Sequence, residues 1–463
     1  MKPISLQFDH NSQTPLYIQL YRYLKNEITC GRISAGERLP SLRSLSKDLS
    51  ISVTTTEQAY NQLLVEGYIT SKPQSGYYIA DITGLAAHKT AGNISAEAND
   101  VFSDYTFQDS PYKYDLSCFN FTKWKKCMAR VINEYPHLLL FESDPQGEAA
   151  LRFEISKYVY TSRGVIASPD QIVIGAGTQQ LTTHLCRILK PMNISHVATE
   201  DPGYLPVQNI FRDHGFSITK IPVDSDGIRI TKLPANIPSA VYISPSNQFP
   251  TGSVMPVGKR YQLLAWAQEN DSYILEDDYD SELRYFGKPV PALQGLSQNG
   301  RVVYLGSFSS TLFPAVKISY MVLPQKMIDI FNSIKSDYTQ TCSKTEQLTL
   351  ALFMEEGLYY TNIKKLRNLY GQKLQTALSA FSHFGKGFVT PTNTNSGINM
   401  ILKVRTKKSP EDLSAAARAI GLHVQPAASL TNQETAALIF YYNQIPLTVM
   451  ESSIRELIEL WKQ

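Results

Sequence analysis

The chain has 463 residues, 44 lysines and arginines against 41 acids, and 43% hydrophobic against 18% charged residues. At roughly 100–200 residues per domain it should hold two to four domains, with enough apolar sequence for a large core, so whole-chain disorder is excluded. The net charge of +3 neither demands nor excludes nucleic acid, and any basic footprint must be local. Met1 to His10 lacks the apolar stretch of a secretory signal, and no window reaches the roughly 18 apolar residues of a membrane helix. The cysteines (Cys30, Cys118, Cys127, Cys186, Cys342) are scattered and form no CxxC pair, so neither a disulfide framework nor a zinc site is indicated. The expectation is a soluble cytoplasmic protein with reduced thiols, no metal and no membrane partner.

Residues 14–80 read as a unit of their own. Tyr17, Leu20, Tyr21, Leu24 and Ile28 follow helical spacing, and Gly31 and Gly36 end that helix. Ser41 is a good N-cap for a second helix with Leu42, Leu45 and Leu49 facing inward. Ser50 to Ser52 form a turn, and Ser52 caps a third helix that carries Ala59, Tyr60, Leu63 and Leu64 inward and stops at Gly67. Two β-prone runs, Tyr68–Ser71 and Tyr77–Ala80, follow. Three helices and a hairpin describe a winged helix-turn-helix.

Such a module lays its last helix in the DNA major groove and its wing near the backbone. The outward face of residues 53–62 offers Thr54, Thr55, Gln58 and Asn61, all uncharged hydrogen-bonding groups. Arg43 and Lys47 suit phosphate contact, and Lys72 and the Gly76 backbone lie in the wing. The footprint is thin, with eight basic residues against six acids in residues 1–80. A winged helix that binds protein is the alternative. The runs "GERLPSLRSL" and "AYNQLLVEGY" resemble the N-terminal domain of the GntR regulators. That resemblance implies operator binding as a dimer, with Arg43, Thr55 and Gly76 among the DNA contacts, and the expected contact set is completed by Ser41, Thr54, Gln58 and Lys72. The family commonly carries Arg where this chain has Val53, so part of the usual readout is lost or replaced.

From Asp81 to about Asp104 the pattern dissolves into small, polar residues, which read as a linker. From about Tyr105 to the end, short apolar runs ("QIVIGAG", "HVATEDPG", "AVYISPS", "SYILEDD", "VVYLGSF") alternate with amphipathic stretches. This predicts an α/β domain with a mainly parallel sheet, residues 105–463, after a head over 1–80 and a linker over 81–104. Ligands of such sheets bind beyond the carboxyl ends of the strands, where all five runs place polar residues.

Those ends propose a pocket. Gly177, Thr178 and Gln179 open a helix and form an anion cradle, unless they are an ordinary strand-to-helix turn. Tyr204 stands on a loop, Asn247 beside prolines, and Asp277 and Tyr279 at a strand end. Ser307, Ser309 and Ser310 cluster with Lys317. Cradle, ring, carboxylate and hydroxyls together suit a phosphorylated aromatic cation such as pyridoxal phosphate.

The motifs "DPQGEAALRFEISKYVYTSRGV", "GAGTQQ", "EDPGY", "PSNQFPTG" and "EDDYDSELRY" resemble class I aminotransferases of fold type I, and a GntR-type head on that body resembles the MocR-type branch of the regulators. By that resemblance Asp277 pairs with the pyridine nitrogen, Tyr279 and Asn247 approach the ring hydroxyl, Tyr204 lies against the ring, and Thr178, Gln179, Ser307 and Ser309 hold phosphate. It also implies a head-to-tail homodimer, an operator DNA and a small-molecule effector. Three departures bear on activity. The Schiff-base lysine position is Ser310, the phosphate-binding arginine position is Lys317, and Thr435 falls where an arginine would grip a substrate carboxylate. A hydroxyl can neither form an imine nor act as the base. The expectation is a regulator without a catalytic residue, which binds pyridoxal phosphate or its amine form noncovalently. A regulator that takes another ligand, and an active aminotransferase, are the alternatives.

Overall fold

The computed structural model describes residues 6, 8–9, 14–73, 75–81, 115–285, 290–432 and 434–463. The chain forms two compact units, Met1–Thr106 and Phe107–Gln463. Apart from Asp81, the expected linker lies outside the described residues.

In the first unit, helix α1 (Leu16–Thr29) buries Leu20, Leu24 and Ile28. Helix α2 (Leu42–Asp48) starts where the Ser41 hydroxyl accepts the Ser44 N–H at 3.1 Å. Ser52 does the same for α3 (Val53–Val65), accepting from the Thr55 N–H at 3.0 Å. Such caps satisfy N–H groups that have no partner inside the helix. Thr56, Ala59, Tyr60 and Leu63 form the inward stripe of α3. Leu64, expected inward, is instead 36% exposed. It lies about 80° round the helix from Thr56, at the margin of the stripe. Strands β1 (Ile69–Lys72) and β2 (Gly76–Ile79) pair antiparallel with Ile69 opposite Ile79. The Tyr60 hydroxyl donates to the Pro40 carbonyl at 3.0 Å and ties α3 to the entry of α2.

The second unit is built on strands β3 (Ile172–Gly175), β4 (His196–Asp201), β5 (Ser217–Asp224), β6 (Gly227–Ile228), β7 (Ser239–Ile243), β8 (Tyr273–Asp278), β9 (Val302–Ser307) and β10 (Ser319–Val322). Their order is β3-β10-β9-β8-β7-β4-β5-β6. The five strands from β9 to β5 run parallel, while β10 is antiparallel to both of its neighbours. All five runs singled out in the sequence are strands here. β10, which the sequence reading passed over, inserts between β9 and β3.

Successive residues of each strand serve opposite faces. Ile172, Ile174, Tyr304 and Tyr320 pack with Leu151, Ile155 and Val159 of the helix Ala149–Arg163. Val173, Leu305 and Met321 pack on the other side with Leu181, Leu185 and Phe211. A sheet covered on both faces explains why these strands read as continuous apolar runs.

The C-terminal lobe carries β11 (Val389–Thr392), β12 (Met400–Arg405), β13 (Val424–Pro426) and β14 (Thr435–Phe440) in the antiparallel order β11-β12-β14-β13. The helices Leu358–Phe384, Pro410–Ala419 and Met450–Lys462 complete its core. Among the described residues no helix is long and apolar enough to cross a membrane. All five cysteines are free thiols.

Candidate cofactor pocket and candidate nucleic-acid interface

The strand ends converge because β10 brings two loops together. Ser319 pairs with Ser307 on one side and with Gly175 on the other. The loop leading into Thr178 and the loop holding Ser307 and Ser309 are therefore neighbours, although more than a hundred residues separate them in sequence. Gly177, at φ +89°, precedes the helix Thr178–Leu189, and no side chain caps that helix. Its first N–H groups, those of Thr178 and Gln179, thus face outward with the positive end of the helix dipole behind them. Ser307 accepts from the Ser319 hydroxyl at 3.0 Å and from the Ser309 N–H at 3.3 Å. Ala176 N–H is held by Gln180 Oε1 at 2.7 Å, which fixes the turn.

A buried carboxylate lies at another of these strand ends. Asp277, at the end of β8, is 5% exposed. One oxygen accepts a short hydrogen bond from the Tyr242 hydroxyl, and Oδ1 has no partner. Burial raises its carboxyl to about 7, although the Tyr242 bond opposes the shift. Asn247 Nδ2 donates to Asp280 at 2.7 Å, and its Oδ1 accepts from Ser396 at 3.2 Å. The Tyr279 hydroxyl donates to the Asn247 carbonyl at 3.1 Å. The Ser310 hydroxyl donates to the Tyr279 carbonyl at 2.5 Å. Residues 247, 279, 280 and 310 are thus one hydrogen-bonded group at the ends of β7, β8 and β9. Tyr204 stands at the rim, 38% exposed, with its ring edge-on to Phe249 at 6.4 Å.

Two expected positions differ from this picture. Lys317 lies just before β10, at the correct end of the sheet, but its side chain is exposed and its backbone is left-handed, at φ +47°. Thr435 begins β14, and its hydroxyl donates to Asn432 at 2.9 Å. The opposite end of that strand, leading to Tyr441, is the one near Phe249: both rings pack on the cluster of Ile401, Ala427, Ala437 and Ile439.

Sequence reasoning missed Tyr242, Ser319 and Glu200. Tyr242 is a polar group inside an apolar strand, and that oddity was the available signal, whereas Ser319 opens β10, which the sequence did not mark. Glu200 is the penultimate residue of β4, with Oε2 accepting from the Ser244 N–H at 3.2 Å and from Gln248 at 3.3 Å, while Oε1 has no partner. Burial pushes this carboxyl up to about 8.

In the first unit Thr54, Gln58 and Asn61 are exposed on α3, Arg43 and Lys47 are exposed on α2, and Ser41 is exposed at its N-cap. The Thr55 hydroxyl lies 2.8 Å from Ser52 Oγ, so part of its capacity already serves the cap. In the wing, Lys72 stands over the Tyr78 ring at 4.6 Å. Gly76 has φ +107°, and a Cβ built there would lie 3.5 Å from the Arg38 guanidinium. Arg38 bridges to Tyr78, is exposed, and was not among the expected contacts. Its position within "GERLPS" gave no sign that it returns to the wing.

Comparison with known proteins agrees with both units. Residues 16–79 match the bacterial regulatory proteins of the gntR family, and residues 111–436 match aminotransferase class I and II. The chain is 41% identical to the HTH-type transcriptional regulator YdeL of Bacillus subtilis, over 97% of this chain and 96% of that protein. It is 30% identical to the probable rhizopine catabolism regulatory protein MocR of Rhizobium meliloti, over 96% and 94% of the two chains. Its fold is similar to that of the multiple substrate aminotransferase of Thermococcus profundus, with a TM-score of 0.66 and 22% identity over 80% of this chain and 95% of that one. A GntR-family helix-turn-helix domain joined to an aminotransferase class I and II domain places the chain among the MocR-like GntR regulators.

Proposed function

We propose that this protein is a DNA-binding transcriptional regulator whose aminotransferase-like body senses a small molecule and carries out no transamination. The observation that carries this reading is Ser310. It occupies the loop after β9 where the resemblance expects the cofactor's lysine, and its hydroxyl is committed to the Tyr279 carbonyl at 2.5 Å. An alcohol neither tethers the cofactor's aldehyde as an amine does nor acts as a base toward a substrate carbon.

The remaining residues still fit pyridoxal phosphate. The partnerless Asp277 Oδ1 is an acceptor for a pyridinium N–H. The uncapped N–H groups of Thr178 and Gln179, with Ser307 and Ser309, suit the phosphate. Tyr204 would lie against the ring, and Asn247 and Tyr279 beside its hydroxyl. When bound, the cofactor supplies an electron sink. In this chain Asp277 would hold the ring nitrogen protonated, the cradle would orient the phosphate, and Ser310 would keep the loop after β9 closed on Tyr279. Charge-assisted hydrogen bonds contribute about 1.5–3 kcal/mol each. Micromolar affinity needs about 8 kcal/mol, within reach of the cradle plus Asp277 without a covalent bond.

The functional units are the head over 1–80, the linker over 81–104 and the body over 105–463, acting in the cytoplasm as a head-to-tail homodimer on duplex operator DNA. The effector favours one arrangement of heads over another. Borohydride treatment of protein saturated with pyridoxal phosphate should leave the chain's mass unchanged while calorimetry detects saturable binding. A fixed adduct at any lysine refutes the noncovalent mode. Binding of some other ligand with no response to pyridoxal phosphate would move the reading to a regulator of different specificity. Failure to retard upstream duplexes at low salt would refute the DNA role.

A further inference from the structure

A helix-turn-helix presents the first residues of its last helix to base edges in the major groove. In this head that helix is α3, and Val53 is its first residue. Thr56, in the same turn, is buried in the core, whereas Val53 is 43% exposed. Among the described residues Val53 takes no part in the core that Leu45, Ala59, Tyr60 and Leu63 build. It stands among polar neighbours, since Thr54, Glu57 and Gln58 are all exposed. The Thr55 hydroxyl is shared with Ser52 Oγ at 2.8 Å. A single exposed apolar residue is ordinary on a protein surface. This one occupies the turn that meets the bases.

Valine is branched at Cβ, so χ1 is stiff in a helix and its two methyl groups are held in place. They neither donate nor accept hydrogen bonds, so phosphate contact and polar readout are closed to them. The apolar feature of the major groove is the C5-methyl of thymine. Glu57 lies one turn on, about 40° round the helix from Val53. Its carboxylate is repelled by phosphate but accepted at base edges, where cytosine and adenine amines donate. This side of α3 therefore suits the groove floor. We propose that Val53 is a specificity-determining residue for operator DNA, selecting a thymine by packing on its C5-methyl. This inference rests on the reading of the head as a DNA-binding module.

The test uses the full chain and the duplexes it enriches, at low salt, from a pool with a randomised core. Each thymine of an enriched duplex is replaced in turn by deoxyuridine, which removes the methyl group and leaves the hydrogen-bonding pattern unchanged. At one thymine of a half-site the replacement should weaken binding about fourfold, the contribution of one buried methyl group. V53A should bind the thymine and deoxyuridine duplexes nearly equally at that position. It should also bind the deoxyuridine duplex about as tightly as the parent does, which reports that the variant is folded. T54S, which removes a neighbouring methyl group and keeps the hydroxyl, should retain the fourfold penalty. The dependence of log affinity on log salt should be the same for V53A and the parent, because no phosphate contact is lost. A parent indifferent to every deoxyuridine, a penalty that survives V53A or vanishes in T54S, or a shallower salt dependence in V53A overturns the inference and leaves the DNA role standing. If no duplex is enriched from the pool, the DNA-binding reading falls and this inference falls with it.

Discussion

The sharpest consequence of the pocket concerns Asp277→Asn. Burial raises the carboxyl from an ordinary 3.8 to about 7 in the folded chain. Below about pH 4 both folded and unfolded chains carry the proton, and the group's contribution to stability is fully present. Between about pH 4 and 7 the unfolded chain releases the proton and the folded chain retains it, so stability falls as pH rises. Above about pH 7 the loss is complete. A displacement of this size corresponds to about 4 kcal/mol, taken as an order of magnitude. Asparagine has nearly the same shape and no charge, and it can keep a hydrogen bond with Tyr242. D277N should therefore exceed the parent in stability at pH 8, exceed it by less at pH 5, approach it below about pH 4, and show a flatter profile throughout. Its affinity for pyridoxal phosphate should fall by roughly tenfold or more, because the charge-assisted bond to the pyridinium is lost. Thermal unfolding from pH 5 to 8.5, with and without cofactor, measures both effects. A variant less stable than the parent at pH 8 with an unchanged pH slope would refute the claim that Asp277 sits ionised at a cost.

Three further outcomes are expected. Ser310→Lys should create an amine at the loop after β9, and borohydride in the presence of pyridoxal phosphate should then add the mass of the reduced cofactor at residue 310, as mass spectrometry would show. Arg38→Ala should weaken operator binding and reduce the dependence of log affinity on log salt by about one charge, with no change in base preference, if its guanidinium meets phosphate. Lys373→Met should destabilise the body by about 3–5 kcal/mol in denaturant unfolding. The Lys373 ammonium is fully buried, 2.7 Å from Asp115, and its removal leaves that carboxylate buried without its cation.

The local features were legible in the sequence because their causes are local. Ser41 and Ser52 cap helices through an N–H three residues on, and the apolar spacing of α1 and α3 follows from 3.6 residues per turn. Leu64 shows where such reasoning stops, since a residue at the margin of a stripe is buried only if some distant element covers it. The five buried strands betrayed themselves by continuous apolar runs ending in Gly, Ser, Pro or acid, whereas β10 (SYMV), as short as β3, runs on into Leu323 and Pro324 from the Lys317 loop without such an ending.

The sequence by itself determined the residue types at the strand ends, including a serine at position 310. Tertiary structure alone decided that β10 brings the Gly177 and Ser307 loops side by side, that Tyr242 takes one oxygen of Asp277 and leaves the other without a partner, and that Arg38 returns to Gly76 in the wing. The physical reason is common to all three. Register across a sheet and burial of a charge depend on residues far apart along the chain, and a spacing rule cannot see contacts that only folding creates.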